Sequence, residues 1–322
     1  MVQGLTVIPG IRVGHASNFD ALTGCTAILC ESGAVGGVEI RGSASETSSL
    51  DTLQPGHITS RVHAIVLSGG SAFGLETASG VRHFLAQRGA GFHAGKSIVP
   101  IVPGAVIFDL DIGKSGIRPT REMGEAAAAA ASSDPVKEGA VGAGAGATVG
   151  KIFGMRQAMK SGIGSGLVEL PGKVLVAALA VVNAFGDVRD PATGKLIAGA
   201  RRSPESSELA DTQEVMKSAS SRSSAWPAPS RNTTLVVCAT NASLTKVEAS
   251  KLAEFAGLGM ARTIYPVFTL FDGDVAFALS LGDARADLNT LGIAAAEAVS
   301  QAIVRAVRQA PSMGGVPGLN KD

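Results

Sequence analysis

Apolar positions along the chain fall into two kinds of run. Short stretches dense in aliphatic and β-branched residues, at 26–30, 64–67, 99–108, 174–182, 235–240 and 275–279, read as strands. Longer periodic runs predict helices. Over 71–87, Phe73, Ala78, Val81 and Leu85 recur at roughly helical spacing and the run ends at Gly89; 121–132 is Ala-rich, 245–260 is amphipathic, and 289–309 is the clearest helix. Strands cluster apart from helices instead of alternating with them. That order favours two packed sheets covered by helices over a doubly wound parallel sheet. No internal repeat is evident.

One segment breaks the pattern. Residues 201–231 are rich in Ser, Pro, Glu and Arg and end in Trp226-Pro227-Ala228-Pro229-Ser230. They read as an exposed linker, partly disordered. The chain then switches abruptly to Asn232-Thr233-Thr234-Leu235-Val236-Val237, the start of a strand. The junction is either a surface loop before a buried strand or a processing site.

At 322 residues the chain is long enough to bury a large core. Its formal net charge of +1 supplies no basic excess for a nucleic-acid partner. Apolar stretches such as 174–182 are too short to span a bilayer, so no membrane is expected. Met1-Val2-Gln3-Gly4 shows no basic region followed by an apolar run. Cys25, Cys30 and Cys238 are odd in number and widely spread, which suits buried thiols in a reducing compartment. The cytoplasm is the expected location. No Cys/His spacing suggests zinc, and no metal is expected. The 41 glycines and 4% aromatic content fit a layered α/β protein whose elements approach closely.

Two glycine-rich runs invite a ligand and fail on counting. In the stretch from Gly142 to Lys151, only three residues separate Gly146 from Gly150, and Ile152 stands where a phosphate loop needs Ser or Thr. Val149 also occupies the place of the third glycine of a dinucleotide fingerprint. Gly69-Gly70-Ser71-Ala72-Phe73 approaches a nucleophile elbow but ends in Phe73 where glycine is required. The five histidines lie in the first third, and surface or core roles suit them. Asn232-Thr233-Thr234 and Asn241-Ala242-Ser243 match a glycosylation sequon that matters only in secreted proteins.

What survives is a set of groups suited to acyl chemistry. A threonine at a new N-terminus carries its own base, because a free α-amino group with a pKa of about 8 can take the hydroxyl proton. Self-cleavage would make that terminus: the Thr233 hydroxyl attacks the Asn232 carbonyl, and water resolves the ester. Attack requires an aimed peptide and fixed donors for the oxyanion. Asp272 and Asp274 are two residues apart in Phe271-Asp272-Gly273-Asp274. On a strand they would share a face and could orient Thr233, one raising the pKa of the other; as Asp-Gly they could instead form a hairpin turn. Lys151 is either a buried ammonium that tunes its neighbours or a solvated one. Asn183 interrupts an apolar strand and must bond to something there; its amide could donate to an oxyanion.

Taken together, these residues resemble the L-aminopeptidase/D-esterase family of N-terminal-nucleophile-like hydrolases. The likeness runs through nearly the whole chain. It includes Ile11-Arg12-Val13-Gly14-His15-Ala16, the run from Leu67 to Leu75, the run from Val102 to Asp109, the run from Gly144 to Lys151, Val182-Asn183, Asn232-Thr233-Thr234 and Phe271-Asp272-Gly273-Asp274. The resemblance implies a four-layer αββα sandwich as one domain over 1–322, autocleaved into an α chain, 1–232, and a β chain, 233–322. It implies Thr233 as the nucleophile of processing and turnover, Asp272 and Asp274 as its orienting acids, Lys151 as electrostatic support and Asn183 as the oxyanion donor. It also implies a homo-oligomer of processed α/β pairs and small amide or peptide substrates, with no cofactor. Asn-Thr with Asp-Gly-Asp is similar to the branch that contains the nylon-oligomer endohydrolase, whereas the aminopeptidase branch commonly carries a Ser nucleophile. A Thr-dependent acyltransferase of the ornithine acetyltransferase type and an unprocessed binding protein are the alternatives.

Overall fold

The computed structural model describes residues 4–218 and 232–321. Nine strands form the main sheet: β1 (Arg12–Asn18), β2 (Thr23–Ile40), β3 (Thr47–Ser48), β4 (Val62–Ser68), β5 (Gly104–Val106), β6 (Ile163–Leu170), β7 (Val174–Asn183), β8 (Thr233–Ala242) and β9 (Val275–Ala284). Among the described residues five α-helices accompany them: α1 (Thr77–Gln87), α2 (Arg121–Ala129), α3 (Thr212–Ser218), α4 (Lys246–Thr263) and α5 (Leu288–Arg308).

The long strand β2 divides the sheet in two. Its first half pairs antiparallel with β1 and β4, from Thr23 to Leu29. Its second half, Val35 to Ile40, pairs antiparallel with β9. One sheet therefore runs β6-β7-β8-β9-β2 and the other continues β2-β4-β5-β3. Within the first, β7 and β8 are antiparallel, and β8 and β9 are parallel.

Strand alternation shows how the layers stack. Ala177, Leu179 and Val181 of β7, Leu235, Val237 and Ala239 of β8, and Phe277 and Leu279 of β9 point into a core shared with Ile28, Ile65 and Leu67 of the other sheet. The intervening residues, among them Val176, Ala178, Val236, Cys238 and Ala278, face away and meet Leu252, Ala256 and Met260 of α4 and Val299 and Ile303 of α5. On the far side Cys25, Ala27, Leu29, Ala64 and Val66 are covered by Val81 and Leu85 of α1 and Ala127 of α2. The order is helices, sheet, sheet, helices, which is the expected αββα sandwich. Because both faces of β7 and β8 are covered, their sequences are nearly uniformly apolar.

Differences from expectation have local causes. The stretch 99–108 is not one strand: Pro100 and Pro103 cannot donate to a ladder, and the chain pairs only as Ser97–Val99 and Gly104–Val106. The run 71–87 begins as a 3₁₀ turn, Ser71–Glu76, before α1. β1 and β6 were not expected, since Gly14, Ser17, Gly164, Ser165 and Gly166 carry little apolar signal. Within the expected linker 201–231, residues up to 218 are structured. Arg201 bridges Leu209, and buried Thr212 donates its N–H and hydroxyl to Asp187, starting α3. The rest of that segment, 219–231, lies outside the described residues. Helix α5 is apolar enough by length and composition to cross a bilayer, but its apolar face is buried on the sheet.

Candidate active site

The first residue of β8 is Thr233, and every group expected around it lies buried. Cross-strand register sets Thr233 directly opposite Asn183, the last residue of β7. On the other side, Asn232 bridges Asp272 in parallel: the Asn232 N–H donates to the Phe271 carbonyl at 2.9 Å. The Gly273 N–H returns a 2.7 Å bond to the Asn232 carbonyl. The Thr233 hydroxyl donates to that same carbonyl oxygen at 2.6 Å. The carbonyl of the suspected scissile bond is thus gripped by a fixed backbone donor while the adjacent hydroxyl stands against it.

Asp272-Gly273-Asp274 is not a hairpin turn. It runs extended beside Asn232 and leads into β9, so the turn alternative is overturned. The segment 41–44 clamps it from the other edge, with Arg41 and Gly42 donating to the Asp274 carbonyl and Ala44 to that of Asp272. A Cβ on Gly42 would lie 2.2 Å from the Asp274 nitrogen, so only glycine permits this approach.

Both carboxylates serve as acceptors. Asp274 takes the Thr234 N–H at 2.6 Å and the Phe268 N–H at 3.2 Å. Asp272 takes the Phe185 N–H at 3.1 Å, the Thr269 N–H at 3.2 Å and the Thr269 hydroxyl at 2.5 Å. Burial pushes both carboxyls above the usual range, Asp274 further because Asp272 adds like charge. The pair therefore holds the residues on either side of the junction, Thr234 directly and Asn232 through the Asp272 bridge.

Lys151 is buried, and the solvated alternative fails. Its ammonium donates to the Asn183 side-chain oxygen at 2.7 Å and to the Asn183 carbonyl at 3.3 Å. Burial lowers its pKa to about 7, opposed by Asp272, Asp111, Asp109 and Asp274. The residue arrives here because Gly150 and Lys151 pair with Gly186 and Phe185 just beyond β7. Gly150 has φ +72°, and a Cβ would meet the Ala200 nitrogen at 1.9 Å. The glycine run from 142 to 150 is a tightly threaded internal loop that delivers Lys151.

Asn183 is held from both ends of its amide in a way its letter does not reveal. Its oxygen accepts from Lys151 and from the Thr148 N–H at 3.1 Å, and its Nδ2 donates to the Phe108 carbonyl at 2.9 Å. In the intact chain the donor on the Asn232 oxygen is accordingly Gly273, not Asn183. Sequence reasoning missed that donor, because a backbone N–H leaves no mark on residue type.

A second buried lysine underlies the loop. Lys160 donates to the carbonyls of Ala147, Ser161 and Gly144 at 2.8, 2.7 and 3.3 Å, and burial lowers its pKa to about 7. Ser71, the nucleophile-elbow candidate, donates to Glu46 at 2.7 Å and sits at a strand-to-helix turn. His15 is half-buried and bonded to Thr26, its pKa lowered to about 4 by desolvation. Among the described residues no group of three His, Cys, Asp or Glu side chains is arranged to hold a metal ion.

Comparison with known proteins agrees with this architecture. The family model for peptidase family S58 matches residues 3–320. An uncharacterized aminopeptidase of Mycobacterium tuberculosis is 37% identical, over 98% of this chain and 96% of its own length. A 6-aminohexanoate-oligomer endohydrolase of Kocuria sp. is 30% identical, over 93% of this chain and 84% of its own. Among solved structures, the L-aminopeptidase D-Ala-esterase/amidase of Ochrobactrum anthropi, a variant of the Ntn hydrolase fold, superposes with TM-score 0.72 at 19% identity, over 98% of this chain and 88% of that one. A Burkholderia sp. β-aminopeptidase superposes with TM-score 0.69 at 23% identity, over 99% of this chain and 91% of that one. The chain belongs to peptidase family S58 and is a hydrolase of amide and peptide bonds.

Proposed function

We propose that the chain cuts itself between Asn232 and Thr233 and then uses Thr233 as an N-terminal nucleophile on small amides. The observation that carries this reading is the 2.6 Å contact between the Thr233 hydroxyl and the Asn232 carbonyl oxygen, on which the Gly273 N–H already sits. In processing, the Thr233 oxygen attacks the Asn232 carbonyl carbon, the C–N bond breaks and its nitrogen takes the hydroxyl proton. The resulting ester is hydrolysed by water to an Asn232 carboxylate and a free Thr233. In turnover the freed amine accepts the hydroxyl proton as the oxygen attacks a substrate amide, then passes that proton to the leaving amine. Water releases the acyl group.

Asp272 and Asp274 hold the segments flanking the nucleophile. Lys151 donates to the side-chain oxygen of Asn183, which polarises its amide, and the strand position of Asn183 faces Thr233. Asn183 is the candidate to stabilise the turnover oxyanion once cleavage rearranges the junction. The processed pair is taken as the unit of a cytoplasmic homo-oligomer, which size-exclusion of the purified protein checks.

A denaturing gel with N-terminal sequencing tests the first step. Two bands are expected, the smaller beginning Thr-Thr-Leu-Val. Thr233→Ala is expected to stay whole and inactive; normal hydrolysis by that variant would overturn the assignment. A panel of amino-acid anilides, β-peptides, D-amino-acid esters and 6-aminohexanoate oligomers then identifies the substrate class.

A further inference from the structure

A pocket of about 610 Å³ is lined by Arg156, Arg201, Pro204 and the loop from Ser312 to Pro317. Arg201 is buried, only 8% exposed, and its guanidinium donates to two backbone carbonyls, those of Pro204 and Arg156. Its Nε is buried and bonds to nothing, and no carboxylate among the described residues pairs with it or with Arg156. A buried guanidinium without a counter-charge is costly, and carbonyl dipoles neutralise it only in part. The facing loop adds donors. Met313 and Val316 exchange two backbone bonds around Gly314 and Gly315, whose amides lie at the tip outside that pair. Both have positive φ, 64° and 76°, as a tight two-residue turn requires.

The pocket shares a wall with the catalytic loop. Met155 and Met313 pack on one apolar cluster with Leu22, Ile112 and Val316. Met155 and Ile112 also line the small cavity that ends on Thr148 and Lys151. Arg156 follows Met155 directly, so this chain carries a positive pocket one side chain away from the catalytic loop.

We propose that Arg156, Arg201 and the Gly314–Gly315 turn form a binding site for a small carboxylate anion. The shared chemistry is a planar oxyanion matched to a guanidinium fork. Two sources supply it: the free carboxylate of a short amide substrate, or a free dicarboxylate acting as an effector. The first rests on the proposed hydrolytic function and the second does not.

Binding is measured on the full-length Thr233→Ala chain by calorimetry with glutarate, independently of any activity. Saturable binding is expected, weakened about tenfold or more by Arg156→Gln, an exposed position whose loss leaves the fold intact, in line with the worth of a charge-assisted bond. Arg201→Lys, which keeps the charge and loses the fork, is expected to weaken it likewise. Absence of saturable glutarate binding, or binding by Arg156→Gln and Arg201→Lys as tight as by the parent chain, overturns the site. The wild-type enzyme then separates the sources. A substrate with a free carboxylate hydrolysed about tenfold more efficiently than its carboxamide, with the preference lost in Arg156→Gln, assigns the site to substrate. Equal hydrolysis of the two, with glutarate still bound, assigns it to a free anion.

Discussion

Lys151 and Lys160 are buried ammonium groups whose pKa values fall to about 7 from an ordinary 10.5. Between those values the unfolded chain keeps a proton that the folded chain releases, so stability rises with pH across this window, by about 1.4 kcal/mol per pH unit for each lysine. Asp272 and Asp274 act oppositely at lower pH. Their raised values mean that the folded state holds protons which the unfolded state has lost, and stability falls as pH climbs from 3.8 towards those values. Denaturant titrations of Thr233→Ala between pH 7 and 10 are expected to show the rise, and adding Lys160→Met is expected to reduce its slope by about half. An unchanged slope would place that lysine's proton elsewhere. The letters Asn232, Thr233, Asp272, Asp274, Lys151 and Asn183 were legible as candidates, since each is a reactive or buried polar type in an apolar setting. The groups that hold them were not: the N–H donors of Gly273, Phe185, Phe268 and Thr148 belong to the backbone and depend on register.

At the scale of elements, the junction is a three-way meeting of β7, β8 and the approach to β9, clamped by the segment 41–44. Gly42→Ala would push a methyl to within 2.2 Å of the Asp274 nitrogen without altering any reactive group. Cleavage in this variant, followed by gel after synthesis, is expected to slow by at least about tenfold, the cost of a modest misplacement of aimed groups. Cleavage at the normal rate would show that the clamp is dispensable. The strands and helices with strong apolar content, β7, β8, α4 and α5, were readable from pattern. β1 and β6 escaped because their glycines and serines serve close contact: a Cβ on Gly164 would lie 2.1 Å from the Ala302 carbonyl of α5. Small residues that let a helix press on a sheet look, in one dimension, like a loop.

For the molecule as a whole, two packed sheets followed from the clustering of strands, but the sharing of β2 between them did not. Its turn from one sheet to the other is set by pairing partners distant in sequence. The close fit of α5 to β6 predicts that Gly164→Val, in the Thr233→Ala background, lowers stability by about 1–3 kcal/mol through overpacking, read from the denaturation midpoint. The location of β8 between β7 and β9 carries a further expectation. Fragments 1–232 and 233–322 share one sheet and two apolar layers, so they are expected to migrate as a single species under native conditions and to separate only in denaturant.

That interleaving would give the proposed cut a direction in time. As one chain the protein can unfold and return, since its halves stay tethered. Once divided, the lesser fragment would have to find its mate by diffusion, with both sides of two bare central strands exposed to aggregation on the way. The proposed scission would therefore act as a ratchet: it would reward chains that fold before they cut, and it would leave the processed enzyme guarded by its slowness to come apart.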